Sequence, residues 1–225
     1  MTAGLHTLRG GFAAAALALA LMAPLSAEAQ DGNAEDAAAF IERLGEQAIE
    51  KLANTDKSAD ARQQDFHALL ENDFAMNAIS RFVLGRYWRV ASPEEQKRFQ
   101  ETFEKVLTQR FLPLFEGYER ADFVVEGAEP DPSEPSLYAV KTMVAQPNAR
   151  EAPKVRVIWR LRPADGSYEI VDVKAEGVSM AITLRSEYNS AIQQAGGNVS
   201  KLIAQLERNL AKGAYTPENV GDVTQ

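Results

Sequence analysis

Side chains able to do covalent or metal chemistry are scarce in this chain of 225 residues. It has no cysteine and two histidines, His6 and His67. That excludes a cysteine nucleophile, cysteine-ligated zinc, an iron–sulfur cluster and a disulfide framework. No H-E-x-x-H, G-x-S-x-G, Walker, EF-hand or dinucleotide-binding pattern occurs. His67 stands among Phe66, Leu69 and Leu70 and reads as a partly buried helix-face histidine, not a base or ligand. Glu94, Glu95, Glu101 and Glu104 are interleaved with Lys97, Arg98 and Lys105, the pattern of a solvated helix face. Asp172 differs, because it interrupts the apolar run Ile170-Val171-Asp172-Val173. An acid there could serve as a general base in a cone-shaped α+β pocket. The commoner role is an ion pair, with Arg185 or Arg81 as the candidate partner. Neither a cofactor nor a metal is expected, and the inventory points away from an enzyme.

Around these positions the side chains are mostly apolar or aromatic: Phe74, Phe82, Tyr87, Trp88, Phe99, Phe103, Phe111 and Trp159. A deep apolar pocket with few polar groups can hold a hydrophobic ligand, but composition does not distinguish it from a filled core. Asp plus Glu number 32 against 24 Lys plus Arg, a net charge of -8, so a general basic footprint for nucleic acid is absent. Arg81, Arg86 and Arg89 form the one basic cluster, able to meet a phosphate or an acidic patch on a partner.

The amino terminus reads as processing. Arg9 precedes the apolar run Phe12 to Ala23, which is too short to span a bilayer, and Pro24 and the small-residue triplet Ala27-Glu28-Ala29 follow. Residues 1–29 are therefore expected to be a cleaved secretory signal peptide. Export without cysteine suits a bacterial periplasm. Residues 30–213 are expected to form a single domain and residues 214–225 a disordered tail.

The elements that must position these groups follow from periodicity. Ala34 to Asn54 repeats Phe40, Ile41, Leu44, Ala48 and Leu52 at helical steps, and Ala59 to Glu71 is a second helix. A short apolar helix runs from Asp73 to its stop at Gly85. Ser92-Pro93-Glu94-Glu95 is a capping box that opens a long helix, kinked near Pro113. After Tyr118 the period becomes two. Ala121–Val125, Leu137–Ala145, Lys154–Arg162 and Tyr168–Ala175 read as antiparallel strands. They are separated by the Pro-rich segment Glu129–Pro135, by Gln146–Asn148 and by the turn Pro163–Gly166. Helices from Met180 to Gln194 and from Val199 to Leu210 close an α+β arrangement.

Two ordered blocks carry a resemblance. Phe74-Ala-Met-Asn-Ala-Ile-Ser-Arg-Phe-Val-Leu-Gly-Arg-Tyr-Trp-Arg-Val-Ala-Ser-Pro-Glu-Glu-Gln-Lys-Arg-Phe99 closely resembles the MlaC family of periplasmic phospholipid-binding proteins, also called toluene-tolerance proteins. Tyr168-Glu-Ile-Val-Asp-Val-Lys-Ala-Glu-Gly-Val-Ser-Met180, followed by Leu184-Arg-Ser-Glu-Tyr188, is similar to that family's D-x-x-x-E-G-V-S strand end and its R-x-x-[FY]. The likeness covers about Phe40 to Lys212. It implies helices packed on a twisted, mainly antiparallel sheet of about four strands, an NTF2-like cone enclosing an apolar cavity for acyl chains. It also implies a monomeric carrier of glycerophospholipid between an outer-membrane lipoprotein complex and an inner-membrane ABC transporter, maintaining lipid asymmetry. A hopanoid-linked carrier and a ketosteroid-isomerase-like enzyme using Asp172 are the alternatives.

On that implication, the expected lining from the helices is Phe74, Ile79, Phe82, Val83, Trp88, Phe103, Leu107 and Phe111. From the sheet it is Val140, Val155, Val157, Trp159, Val171, Val173 and Val178. Arg81, Arg86 and Arg89 are the head-group or partner candidates. Two acyl chains of about fifteen methylenes at roughly 0.8 kcal/mol per CH₂ leave on the order of 24 kcal/mol for a cavity to offset.

Overall fold

The computed structural model describes residues 33–54, 56–116, 118, 122–145 and 154–216. The signal peptide expected at residues 1–29, the link at Gln146–Asn148 and the tail from residue 217 lie outside the described residues.

Among the described residues, six α-helices and five strands follow in the order α1 (Ala34–Leu52), α2 (Ala59–Asp73), α3 (Met76–Leu84), α4 (Pro93–Phe111), β1 (Asp122–Asp131), β2 (Glu134–Ala145), β3 (Val155–Ala164), β4 (Ser167–Ala175), β5 (Val178–Ser179), α5 (Met180–Gln194) and α6 (Val199–Ala211). Short 3₁₀ turns continue α3 through Gly85–Arg89 and α4 through Leu112–Phe115, where Pro113 ends the α-helical ladder. Each long helix starts where a side chain can satisfy its free amides. Ser92 Oγ accepts from the Glu95 amide and the Glu95 carboxylate accepts from the Ser92 amide, the reciprocal box legible in the sequence. Asn33, Ser58, Ser179 and Asn198 cap α1, α2, α5 and α6 in the same way.

The sheet is a simple antiparallel meander, β1-β2-β3-β4-β5. Its fifth strand, the two-residue β5, is one more than the sequence suggests. The Pro-rich segment Glu129–Pro135 is not a loop, as its composition suggests, but the top of the β1–β2 hairpin. Asp131 Oδ1 accepts from the Ser133 amide, the Ser133 hydroxyl and the Glu134 amide, which folds Pro132-Ser133 into a tight turn. The prolines fit because Pro130 lies on edge strand β1, while Pro135 lies beyond the β2–β3 pairing, which stops at Tyr138 and Leu161. The β3–β4 turn is likewise tighter than Pro163–Gly166. Its two central residues, Asp165 (φ 44°) and Gly166 (φ 77°), are both left-handed, as a two-residue hairpin demands.

The register shifts once within β3–β4: Arg160 faces Asp172 but Leu161 faces Ile170, which leaves Val171 as the extra residue of a bulge. Alternation therefore restarts along β4. Tyr168 and Ile170 are buried in one cluster, whereas Val171 and Val173, of the opposite parity, line the space beyond it.

Two apolar clusters result. One joins α2 to α6 around Phe99, Phe103, Leu202 and Ile203; the other joins α1 to the sheet around Phe40, Ile41, Leu161 and Ile170. Leu69 and Phe74 pack against both. An isolated parallel bridge from Phe74 to Ile170, with the Ala75 amide donating to the Ile170 carbonyl at 2.9 Å, ties the α2–α3 junction to β4. At the carboxyl end, Ala214 and Tyr215 still hold the domain. The Tyr215 amide donates to Gln109 Oε1 at 3.0 Å and its ring packs on the helical cluster, so the fold continues past residue 213.

Candidate functional site

The seam between the two clusters is not filled. It holds a cavity of about 390 Å³ walled by α1 (Ile41, Leu44, Gly45, Ala48, Ile49), α2 (Phe66, Leu69, Leu70) and the sheet (Val144, Val155, Val157, Trp159, Val171, Val173, Ala175). Leu107 and Phe111 of α4 and Met180, Ala181 and Leu184 of α5 close the ends. Leu114, Phe115, Tyr118 and Phe123 also line it, and Leu114 is 54% exposed, so this group forms a rim open to solvent. Among the described residues, Asp172 is the only charged side chain of the lining. Even the Trp159 indole is satisfied away from the space, since its N–H donates to Thr142 Oγ1 at 3.0 Å and that hydroxyl donates to the Val157 carbonyl. Such a surface favours hydrocarbon over water.

Of the residues expected to line a pocket, Phe74, Ile79, Leu107, Phe111, Val155, Val157, Trp159, Val171 and Val173 come together here. Others do not. Phe103 stacks on Phe99 and meets the Tyr188 ring edge-on, and with Val83 and Trp88 it belongs to the filled helical cluster. Val140 is fully buried beneath α1, in the sheet cluster. Phe82 and Val178 face solvent. On α3 and α4 one apolar stripe serves two surfaces, and periodicity cannot say which residues meet the void. Sequence reasoning missed the α1 wall. Its stripe of Ile41, Leu44 and Ala48 was visible, but nothing local distinguishes a helix that covers a cavity from one that covers a core.

Asp172 pairs with neither Arg185 nor Arg81. Its two carboxylate oxygens accept from Ser179 Oγ at 2.7 Å and from the Ala181 amide at 3.0 Å. The buried acid thus sits at the amino terminus of α5 and satisfies the first turn of that helix. Ser179 in turn caps α5 by accepting from the Ile182 amide. Arg160, the cross-strand neighbour of Asp172, turns instead to Asp131 at 2.7 Å. Burial alone would raise the Asp131 pKa, but hydrogen bonds from Arg160 and Ser133 outweigh it and hold the carboxyl well below the usual carboxylate range.

The other chemistry-bearing groups lie away from the cavity. Arg81, Arg86 and Arg89 are exposed along α3 and its 3₁₀ extension, and none lines the cavity. His67 is half-exposed, with Nδ1 3.3 Å from Glu71 and Nε2 3.3 Å from Glu104. Glu104 is not on a solvated face: it is buried and also receives the Gln100 amide at 3.1 Å. Glu94, Glu95 and Glu101 are not buried.

A helical layer closing on an antiparallel sheet around an apolar void defines the class of α+β proteins built to enclose a hydrophobic cavity. The chain belongs to the MlaC family: the family described as MlaC protein matches residues 42–208. The toluene tolerance protein ttg2D of Pseudomonas putida is 25% identical over 149 residues, 66% of this chain and 67% of that protein. The intermembrane phospholipid transport system binding protein MlaC of Haemophilus influenzae is 20% identical over 130 residues, 58% of this chain and 59% of that one. Among solved structures, a phospholipid-binding protein from Ralstonia solanacearum, in complex with a phospholipid, superposes with a TM-score of 0.67 at 16% identity. That match covers 80% of this chain and 99% of the other. The shared fold is the one described above, with its open antiparallel sheet. No helix among the described residues is long and apolar enough to cross a membrane.

Proposed function

We propose that this chain is a periplasmic phospholipid carrier that shuttles glycerophospholipid between an outer-membrane lipoprotein complex and an inner-membrane ABC transporter, acting as a monomer. One observation carries the reading: an apolar cavity in which the only charged lining residue among those described, Asp172, has both carboxylate oxygens engaged in holding a helix. Family membership and the phospholipid held by a protein of the same fold support it. The expected lining residues that meet in the cavity are the proposed acyl-chain contacts.

Size adds a constraint. A cavity of about 150 Å³ accommodates benzene, so roughly 25 Å³ serves each carbon. The 390 Å³ present here then suits about one acyl chain. Two chains require the walls to part, and the rim of Leu114, Phe115, Tyr118 and Phe123 is where the wall is least covered. The geometry of Asp172 speaks for a structural role over the enzyme alternative, because each of its oxygens already accepts a hydrogen bond that fixes the start of α5. Protein purified from a bacterial host is expected to carry stoichiometric glycerophospholipid, read by solvent extraction and mass spectrometry; its absence would overturn the proposal.

A further inference from the structure

The arginines that the cavity leaves unused share a surface. Arg81, Arg86 and Arg89 are exposed, and Arg185 of α5 lies 4.6 Å from the ring centroid of Phe82 on α3. No carboxylate pairs with any of the four among the described residues. Elsewhere among the described residues five arginines are neutralised, Arg62 by Glu116, Arg98 by Glu207, Arg110 by Glu187, Arg160 by Asp131 and Arg162 by Glu169, while Arg43, Arg156 and Arg208 stand singly on other elements. The stretch from Met76 to Arg89 contains no acid, and Glu187, the only acid of α5, is the one held by Arg110. Beside these cations two apolar side chains are left in solvent, Phe82 (40% exposed) under the Arg185 guanidinium and Ile182 (63%) one turn before Arg185. Ile182 and Arg185, three residues apart, share one face of α5, which packs along α3. A chain with net charge -8 thus gathers guanidinium groups without carboxylate partners, and exposed hydrocarbon, along α3, its 3₁₀ extension and α5.

We infer that the α3–α5 face is a docking surface for an anionic lipid bilayer, an inference that rests on the carrier reading. Lipid phosphates accept the guanidinium fork, and aliphatic side chains between the cations enter the boundary between head groups and acyl chains. The acidic faces do not cancel this attraction, because salt screens charges over about 8 Å at physiological strength. Position favours a bilayer over an acidic protein. Ile79 of α3 and Met180, Ala181 and Leu184 of α5 line the cavity, so a docked bilayer lies against the wall that encloses the cargo.

The test is co-sedimentation of the full protein with phosphatidylcholine vesicles, with and without phosphatidylglycerol. Binding is expected only with phosphatidylglycerol and is expected to weaken as salt rises. Each arginine near such a surface is worth about a fivefold factor, so Arg81→Gln should lose roughly fivefold. Ile182→Glu, outside the cavity lining, should lose at least as much while its Tm and copurified lipid stay as in the parent. Equal binding to both vesicles, or variants that sediment like the parent, would overturn the inference. So would no binding to either, which would leave the face to an acidic protein surface. Mass spectrometry of the same preparation separates the two claims: lipid in the pocket without vesicle binding sinks the docking surface alone, whereas an empty pocket sinks the carrier reading.

Discussion

At the scale of single residues, the informative groups are buried polar ones. Tyr188 is buried in the helical cluster with its ring edge-on to Phe99 and Phe103, and among the described residues its hydroxyl finds no hydrogen-bond partner. An unsatisfied buried hydroxyl costs about 1–3 kcal/mol, so Tyr188→Phe should raise stability by about 1 kcal/mol, or roughly 3 °C in Tm. Burial also pushes the Tyr188 pKa well above 10. The unfolded chain ionises this phenol near pH 10 and the folded chain does not, so its contribution holds below pH 10 and is lost above it. Thermal melts between pH 9 and 11 should show a shallower alkaline decline for Tyr188→Phe, and an unchanged slope would refute the assignment. Asp131 works in the opposite direction. Its folded pKa is depressed, so its stabilisation is present above about pH 4 and drains as pH falls below that value. Asp131→Asn leaves the largely buried Arg160 with only the exposed Glu134 at 3.7 Å and should cost about 2–3 kcal/mol at pH 7. Denaturant titrations at pH 7 and pH 3 should find that difference shrinking in acid.

At the scale of elements, Asp172 and the β4 bulge decide how α5 meets the sheet. Asp172→Asn keeps one acceptor but cannot accept from both Ser179 and the Ala181 amide as a carboxylate does, so it should cost about 1–3 kcal/mol. An enzyme base would instead lose turnover with little loss of stability. Much at this scale was legible in the sequence. The Ser92 box, the α5 limits and the alternation Val155, Val157, Trp159 are local patterns, written in residues close together. The bulge at Val171 was not, because an extra residue shows only against the partner strand. Nor was the partner of Asp172. Arginines chosen by charge lost to a serine and an amide chosen by proximity, since Ser179 enters β5 only once the chain has turned at Glu176-Gly177. The Pro-rich hairpin was misread for a similar reason: whether a proline breaks a strand depends on which edge its missing donor faces. On the sheet face, Val157→Glu or Val173→Glu places a carboxylate in the cavity. Either should abolish lipid retention while far-ultraviolet circular dichroism stays helical, and retained lipid would place the acyl chains elsewhere.

At the scale of the whole molecule, the two apolar clusters and the void between them make stability and cargo interdependent. A void forfeits the dispersion contacts its lining would otherwise make, so the empty protein is less stable than a filled one of the same size. Anything bound only by the folded state adds RT ln(1 + [L]/Kd), about 2.7 kcal/mol at a hundredfold excess over Kd. Delipidated protein should therefore melt roughly 5–10 °C below the loaded form. The same exchange locates the moving wall. If two chains enter a space sized for one, the clusters must separate along the seam, and α1 lies over it with Gly45 against the Phe123 ring, where any Cβ would collide. Hydrogen exchange should then report slower amide exchange in α1 and at the Leu112–Phe115 rim on loading, with α6 and the Phe99–Phe103 cluster unchanged. Uniform protection across both clusters would mean that the molecule responds as one body, and that the seam is not where it opens.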